Sequence, residues 1–188
     1  PLRCPRGPTK APCGAVRGTG GGSVPPLGIE PLRRALFRSG SARNGTPQPN
    51  PPPTFLGPMV ALCYEFSASD RDIFPYRFKN LGLGKLIGKR TWGGVVGIRN
   101  PLPLADGGQF FKPEFAPYSK EGKGWVIEGH GVEPDIVVDN DPAKEFQSED
   151  QQLDRPLQEI QTDLKSKRYD LPPIPPYPNR NPAKTNGQ

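Results

Sequence analysis

Three cysteines, Cys4, Cys13 and Cys63, are all that the 188 residues contain; the odd count and the lack of any CxxC spacing exclude a disulfide framework. Cys63, inside an apolar run, reads as a small core residue. One histidine, His130, is too little for the usual Cys/His zinc site, so neither a metal nor another cofactor is expected. No apolar run approaches the roughly 20 residues that span a bilayer, and no charged segment followed by an apolar one opens the chain. A soluble, cytoplasmic protein without a membrane partner is the expectation. Met59, the sole methionine, lies within a predicted strand and the first residue is Pro1, which reads as a fragment of a longer protein. A hydrophobic content of 33% allows one compact unit.

Proline and glycine are plentiful instead, 27 and 23 residues, which places poorly packed stretches at both ends. The net charge is +6, and before Pro53 eight basic residues face a single acidic one, Glu30. That imbalance suits a nucleic-acid arm. The same region holds one aromatic, Phe37, and no recognition element, so no nucleic-acid partner is expected.

The most informative stretch begins at Met59-Val60-Ala61-Leu62-Cys63-Tyr64, an unbroken apolar run of the kind that forms a parallel strand covered on both faces. After Ser67-Ala68-Ser69-Asp70, Phe74, Phe78 and Leu81 recur at helical spacing. Strand, tight turn and helix follow in that order. A serine at such a turn faces the helix's free first-turn amides and dipole, which favour an oxyanion; it can equally serve as a plain helix cap. Gly82 to Thr91 looks like a phosphate loop but is not one. Five residues separate Gly82 from Gly88 where four are required, and Arg90 follows Lys89 where Ser or Thr belongs.

Elsewhere, Ile29, Leu32 and Leu36 predict a short helix, residues 43–58 a proline-rich loop, and Leu86–Lys89 and Val95–Arg99 two strands. Asp106-Gly107-Gly108 predicts a turn, and Gly124–Glu128 alternates as a strand ending in a carboxylate. Leu153, Leu157, Ile160 and Leu164 predict an amphipathic helix that begins near Asp154, with Pro156 in its first turn. The tail around Pro172–Pro178 predicts polyproline II.

The run SASDRDIFPYRFKNLGLGKLIGKRTWGGVVGI, together with WVIEGHGVEPDIVV, resembles the tricorn-type branch of the tail-specific serine peptidases, and the likeness extends from about Arg17 to Pro178. It implies an α/β fold of the crotonase/ClpP-like kind, with a lead-in over 1–16 that is disordered or mis-framed. A partial peptidase domain over 17–170 and a proline-rich tail over 171–188 complete the layout. It further implies hydrolysis of peptide substrates within a homo-oligomeric full-length protein. By its pattern Ser69 is the nucleophile, Asp70 supplies one oxyanion amide and Gly22, or alternatively Gly21, the other. Glu128 orients the catalytic histidine through an intervening serine. That histidine belongs to a segment upstream of the chain given, so this chain alone is expected to be inactive; His130, between two glycines, reads as a surface-turn residue. Thr19 stands where the family has asparagine and Arg71 where it has glycine. If the backbone at Arg71 needs positive φ, Arg71→Gly should stabilise the turn by up to about 1 kcal/mol. A noncatalytic remnant or interaction module with the same fold is the alternative.

Overall fold

In the computed structural model the described residues are 14–17, 29–52, 54–98, 102–167 and 169–178. In chain order they form β1 (Gly14–Arg17), β2 (Arg38–Gly40), β3 (Gln48–Asn50), β4 (Met59–Cys63), α1 (Asp70–Asn80) and β5 (Lys85–Gly88). Then come β6 (Gly97–Ile98), β7 (Leu102–Pro103), β8 (Gln109–Phe110), β9 (Pro113–Phe115), β10 (Ile136–Val137), α2 (Pro142–Phe146) and α3 (Gln151–Ser166). The α/β class expected from the resemblance is the one observed.

The frame is a four-stranded sheet in the order β1-β4-β5-β10, with every neighbouring pair parallel. Strand β4 is apolar throughout because helices cover both of its faces. Its alternate residues divide between two cores. Ala61 and Cys63, with Leu86 of β5, meet Phe78 of α1, whereas Val60 and Ile87 meet Ile160 of α3. Phe78, Leu86, Ile87 and Ile160 are all fully buried, each contributing about 1.5–3 kcal/mol by leaving water. Burial also pushes the Cys63 thiol up to about 12, which keeps it an inert core group at neutral pH.

Ion pairs fasten the helices to this frame. The Lys79 ammonium, in the last turn of α1, lies 2.9 Å from Asp135 Oδ1, and Asp135 Oδ2 accepts the Leu86 N–H at 2.8 Å. Burial alone would push the Asp135 carboxyl up; the Leu86 N–H and the Lys79 charge outweigh it and hold the group below its usual range. On the opposite face Glu159 of α3 binds both Lys85 and Arg155. Among the described residues no helix is long and apolar enough to cross a membrane.

Several elements depart from the sequence-based expectation. Residues 29–33 form a turn, with the Leu32 and Arg33 N–H groups on the Ile29 carbonyl, and the chain then extends so that β2 pairs antiparallel with β3. The proline-rich segment supplies that partner strand and overrides the helical spacing. Strand β1 was not legible in Ala11–Val16, yet Gly14–Arg17 pairs along β4. Helix α3 starts at Gln151 rather than near Asp154, capped by Asp150, whose carboxylate accepts the Leu153 N–H. Pro156 therefore sits past its first turn. The turn at Asp106-Gly107-Gly108 is present and closes the β7–β8 hairpin. In the tail, the Tyr177 hydroxyl donates to the Arg43 carbonyl at 3.1 Å, tying that segment to its own domain.

Candidate active site

Ser69 lies at the N-cap of α1 with φ 59° and ψ −120°, a conformation that side chains other than glycine rarely adopt. It is held there from both sides. Its carbonyl accepts the Asp72 and Ile73 N–H groups at 2.9 and 3.0 Å, and its own N–H donates to the Gly94 carbonyl at 2.9 Å. The exposed Ser69 hydroxyl makes no capping bond to the helix. Ser67 is the opposite case: it is buried, and its Oγ accepts the Tyr64 N–H. Of the two serines, only Ser69 presents its hydroxyl to an incoming molecule.

Asp70 opens α1 directly after Ser69. Arg71 follows with helical backbone, not the positive φ considered from its place at a glycine position. Its guanidinium reaches back to the Tyr64 hydroxyl at 2.6 Å. Arginine is a good helix former, so the local backbone carries no strain at this residue.

The segment Arg90–Gly94 packs beside the serine turn. Trp92 donates its N–H to the Ser67 carbonyl, while buried Thr91 exchanges two bonds with Val132, N–H to carbonyl at 3.1 Å and Oγ1 from N–H at 2.8 Å. Gly93, at φ 88°, permits a close approach: a Cβ there would stand 2.4 Å from the Gly131 nitrogen.

Glu128 does not end a strand. Trp125 alone pairs, as a single bridge to Tyr118, and the chain then folds into a tight turn in which the Glu128 N–H closes on the Val126 carbonyl. Ile127, at the centre of that turn, has φ 51°, costly for a β-branched residue. The turn delivers the carboxylate to the Val95 and Val96 amides, both of which donate to Oε2, at 2.7 and 2.9 Å. Because those amides serve Glu128, the strand expected from Val95 starts only at Gly97, in β6. Among the described residues no donor reaches Glu128 Oε1, which leaves one oxygen for an orienting contact.

The structure thus brings Ser69 and Glu128 to one run, residues 93–96, with Asp70 next to Ser69 at the start of α1. Gly22 and Gly21 lie outside the described residues. His130 is exposed on the turn after Glu128, and its Nδ1 lies 3.0 Å from the Glu128 carbonyl, an acceptor that requires the proton on Nδ1. Among the described residues no group of three or more His, Cys, Asp or Glu could hold a metal ion. Asp72 was not singled out in the sequence. It is fully buried in the first turn of α1 and accepts the Gly93 and Gly94 N–H groups.

Residues 16–138, which hold all of these groups, match the model of peptidase family S41. The chain belongs to that family. It is 42% identical over 157 residues to the tricorn protease of Thermoplasma volcanium, and 39% identical over 160 residues to that of Thermoplasma acidophilum. These matches cover 84% and 85% of this chain but only 15% of each relative. A crystal structure of the tricorn protease superimposes with a TM-score of 0.74 at 39% identity, over 81% of this chain and 15% of that one. The S41 chain described here therefore spans a small part of the length of the relatives that it matches.

Proposed function

We propose that this chain forms part of a serine peptidase domain in which Ser69 Oγ attacks the carbonyl carbon of a peptide bond. The observation that carries the reading is the backbone of Ser69, strained at the start of a helix with its hydroxyl exposed and committed to no cap. Strain of this kind costs about 1–3 kcal/mol and persists where the surroundings impose it, as at functional sites. The Asp70 N–H and a glycine amide from 21–22 would stabilise the oxyanion, supported by the positive end of α1.

Attack requires that the serine proton pass to a base, which then returns it to the leaving amine as the C–N bond breaks; water hydrolyses the acyl-enzyme by the same route. We assign that base to a histidine outside these 188 residues, oriented with the help of Glu128 Oε1. The tricorn protease likeness and the S41 membership support peptides as substrates, and we infer a soluble, homo-oligomeric longer protein as the working form. Arg71 gives the noncatalytic alternative no support, since its backbone is helical. Peptide turnover by the 188-residue chain should not exceed that of its Ser69→Ala variant. Turnover that His130→Ala abolishes would instead make His130 the base.

A further inference from the structure

Gly93, Gly94, Val95 and Val96 offer four successive backbone N–H groups, and two carboxylates take them all. Asp72 accepts from Gly93 through Oδ1 at 2.7 Å and from Gly94 through Oδ2 at 3.2 Å. Glu128 accepts from Val95 and Val96. The carbonyls of the same strap serve the opposite partners: Gly94 receives the Ser69 N–H at 2.9 Å and Gly93 the Gly129 N–H at 2.8 Å. One strap therefore joins the turn that carries Ser69 to the turn that carries Glu128.

Asp72 is 0% exposed, an expensive place for a carboxylate. Removing such a group from water costs several kcal/mol unless fixed donors replace its hydration. A favourable interaction with the helix dipole, about 0.3–1 kcal/mol for an exposed acid, would not need that burial. The two glycine amides replace the hydration, and they belong to the strap rather than to α1. Ser69 needs such an external hold. Its carbonyl is fixed by the helix, but its N–H, which sets the positive φ, is held from outside the helix, by the Gly94 carbonyl.

We propose that Asp72 is a positioning residue for Ser69: by gripping Gly93 and Gly94 it fixes the carbonyl that locks the serine's backbone, and it keeps Glu128 aligned at the other end of the strap. The proposal rests on Ser69 being the nucleophile, as argued above. Asp72 touches no reacting atom. Its effect passes through Gly94, and a shift of the serine by a fraction of an ångström is enough to slow attack.

The test uses Asp72→Asn in the full-length gene product. Asparagine keeps the volume and one acceptor oxygen, but turns its NH2 group toward a second N–H donor. Two readouts separate the inference from the reading beneath it. In hydrogen exchange, the Ser69 amide should exchange about 10-fold faster or more, while those of Leu86 and Ile87 remain protected. In labelling by a fluorophosphonate, the limiting rate should fall about 10- to 100-fold, with the half-saturating concentration unchanged. Asp72→Glu, which keeps both oxygens on a longer stem, should retain the fold and also label slowly. A wild-type adduct elsewhere than on Ser69 sinks the catalytic reading, and the exchange result then decides alone whether Asp72 fixes the turn. Wild-type exchange and labelling in a folded variant overturn the proposal; so does loss of protection at Leu86 and Ile87 in both variants, which would make Asp72 a residue of the fold only.

Discussion

The Ser69 N–H meets the Gly94 carbonyl at 2.9 Å, and through that bond the serine's backbone is set by a segment more than twenty residues downstream. Two residues before it, the Ser67 carbonyl receives the Trp92 N–H at 2.9 Å, so the serine turn and the Arg90–Gly94 run are joined at two points. The two serines diverge because one hydroxyl is used internally and the other is not.

Their substitutions should move stability in opposite directions. Ser67→Ala leaves the Tyr64 N–H without its acceptor and should lower stability by about 1–2 kcal/mol. Ser69→Gly removes the Cβ that makes φ 59° costly and should raise stability by about 1 kcal/mol. Thermal melts of the two variants check this, and a fall in both would contradict strain at Ser69.

Arg71→Gly should lower stability by about 1 kcal/mol, the reverse of what a glycine motif suggests. The position is helical, glycine is about 0.8–1.0 kcal/mol worse than alanine in a helix, and the bond to the Tyr64 hydroxyl is lost as well. Denaturant titration measures the difference; a more stable glycine variant would restore the case for strain there.

Acid should loosen the hold of Asp135 on Leu86 and Lys79. A carboxyl held below its unfolded value, near 3.8, contributes stability that is present above that pH and is lost as the pH falls through the folded value. Asp135→Asn should therefore be less stable than the wild type at neutral pH, and the two stability curves should converge below about pH 4. Curves that stay parallel down to pH 2.5 would count against the pairing.

Much of the frame was legible because its signals are local. The run Met59–Cys63 is apolar without a break, and the i, i+4 spacing through Ile160 and Leu164 marks α3. Strand β1 was not legible, since Gly14–Arg17 has little strand character and extends because β4 offers a parallel partner. The buried face of α1 was legible only in part: Phe78 is buried and Phe74 packs against the same core, as the spacing predicts. Asp72, Pro75 and Phe78, spaced by three, are its buried residues, and two of them are not apolar signals; Leu81, expected on that face, is exposed. A carboxylate in step with Phe78 was the clue to Asp72, although the sequence did not show which amides would receive it. Glu128 was found through the resemblance, but its strap was not, because backbone amides have no sequence signature.

The most direct test of the account is the site of covalent labelling. Incubation of the full-length gene product with a fluorophosphonate, followed by peptide mapping, should place the adduct on Ser69, and Glu128→Ala should slow labelling at least about 10-fold by releasing the base it orients. An adduct on Ser67, or labelling at the wild-type rate without the Glu128 carboxylate, would contradict the assignment of Ser69 and with it the roles given to Asp70 and Glu128.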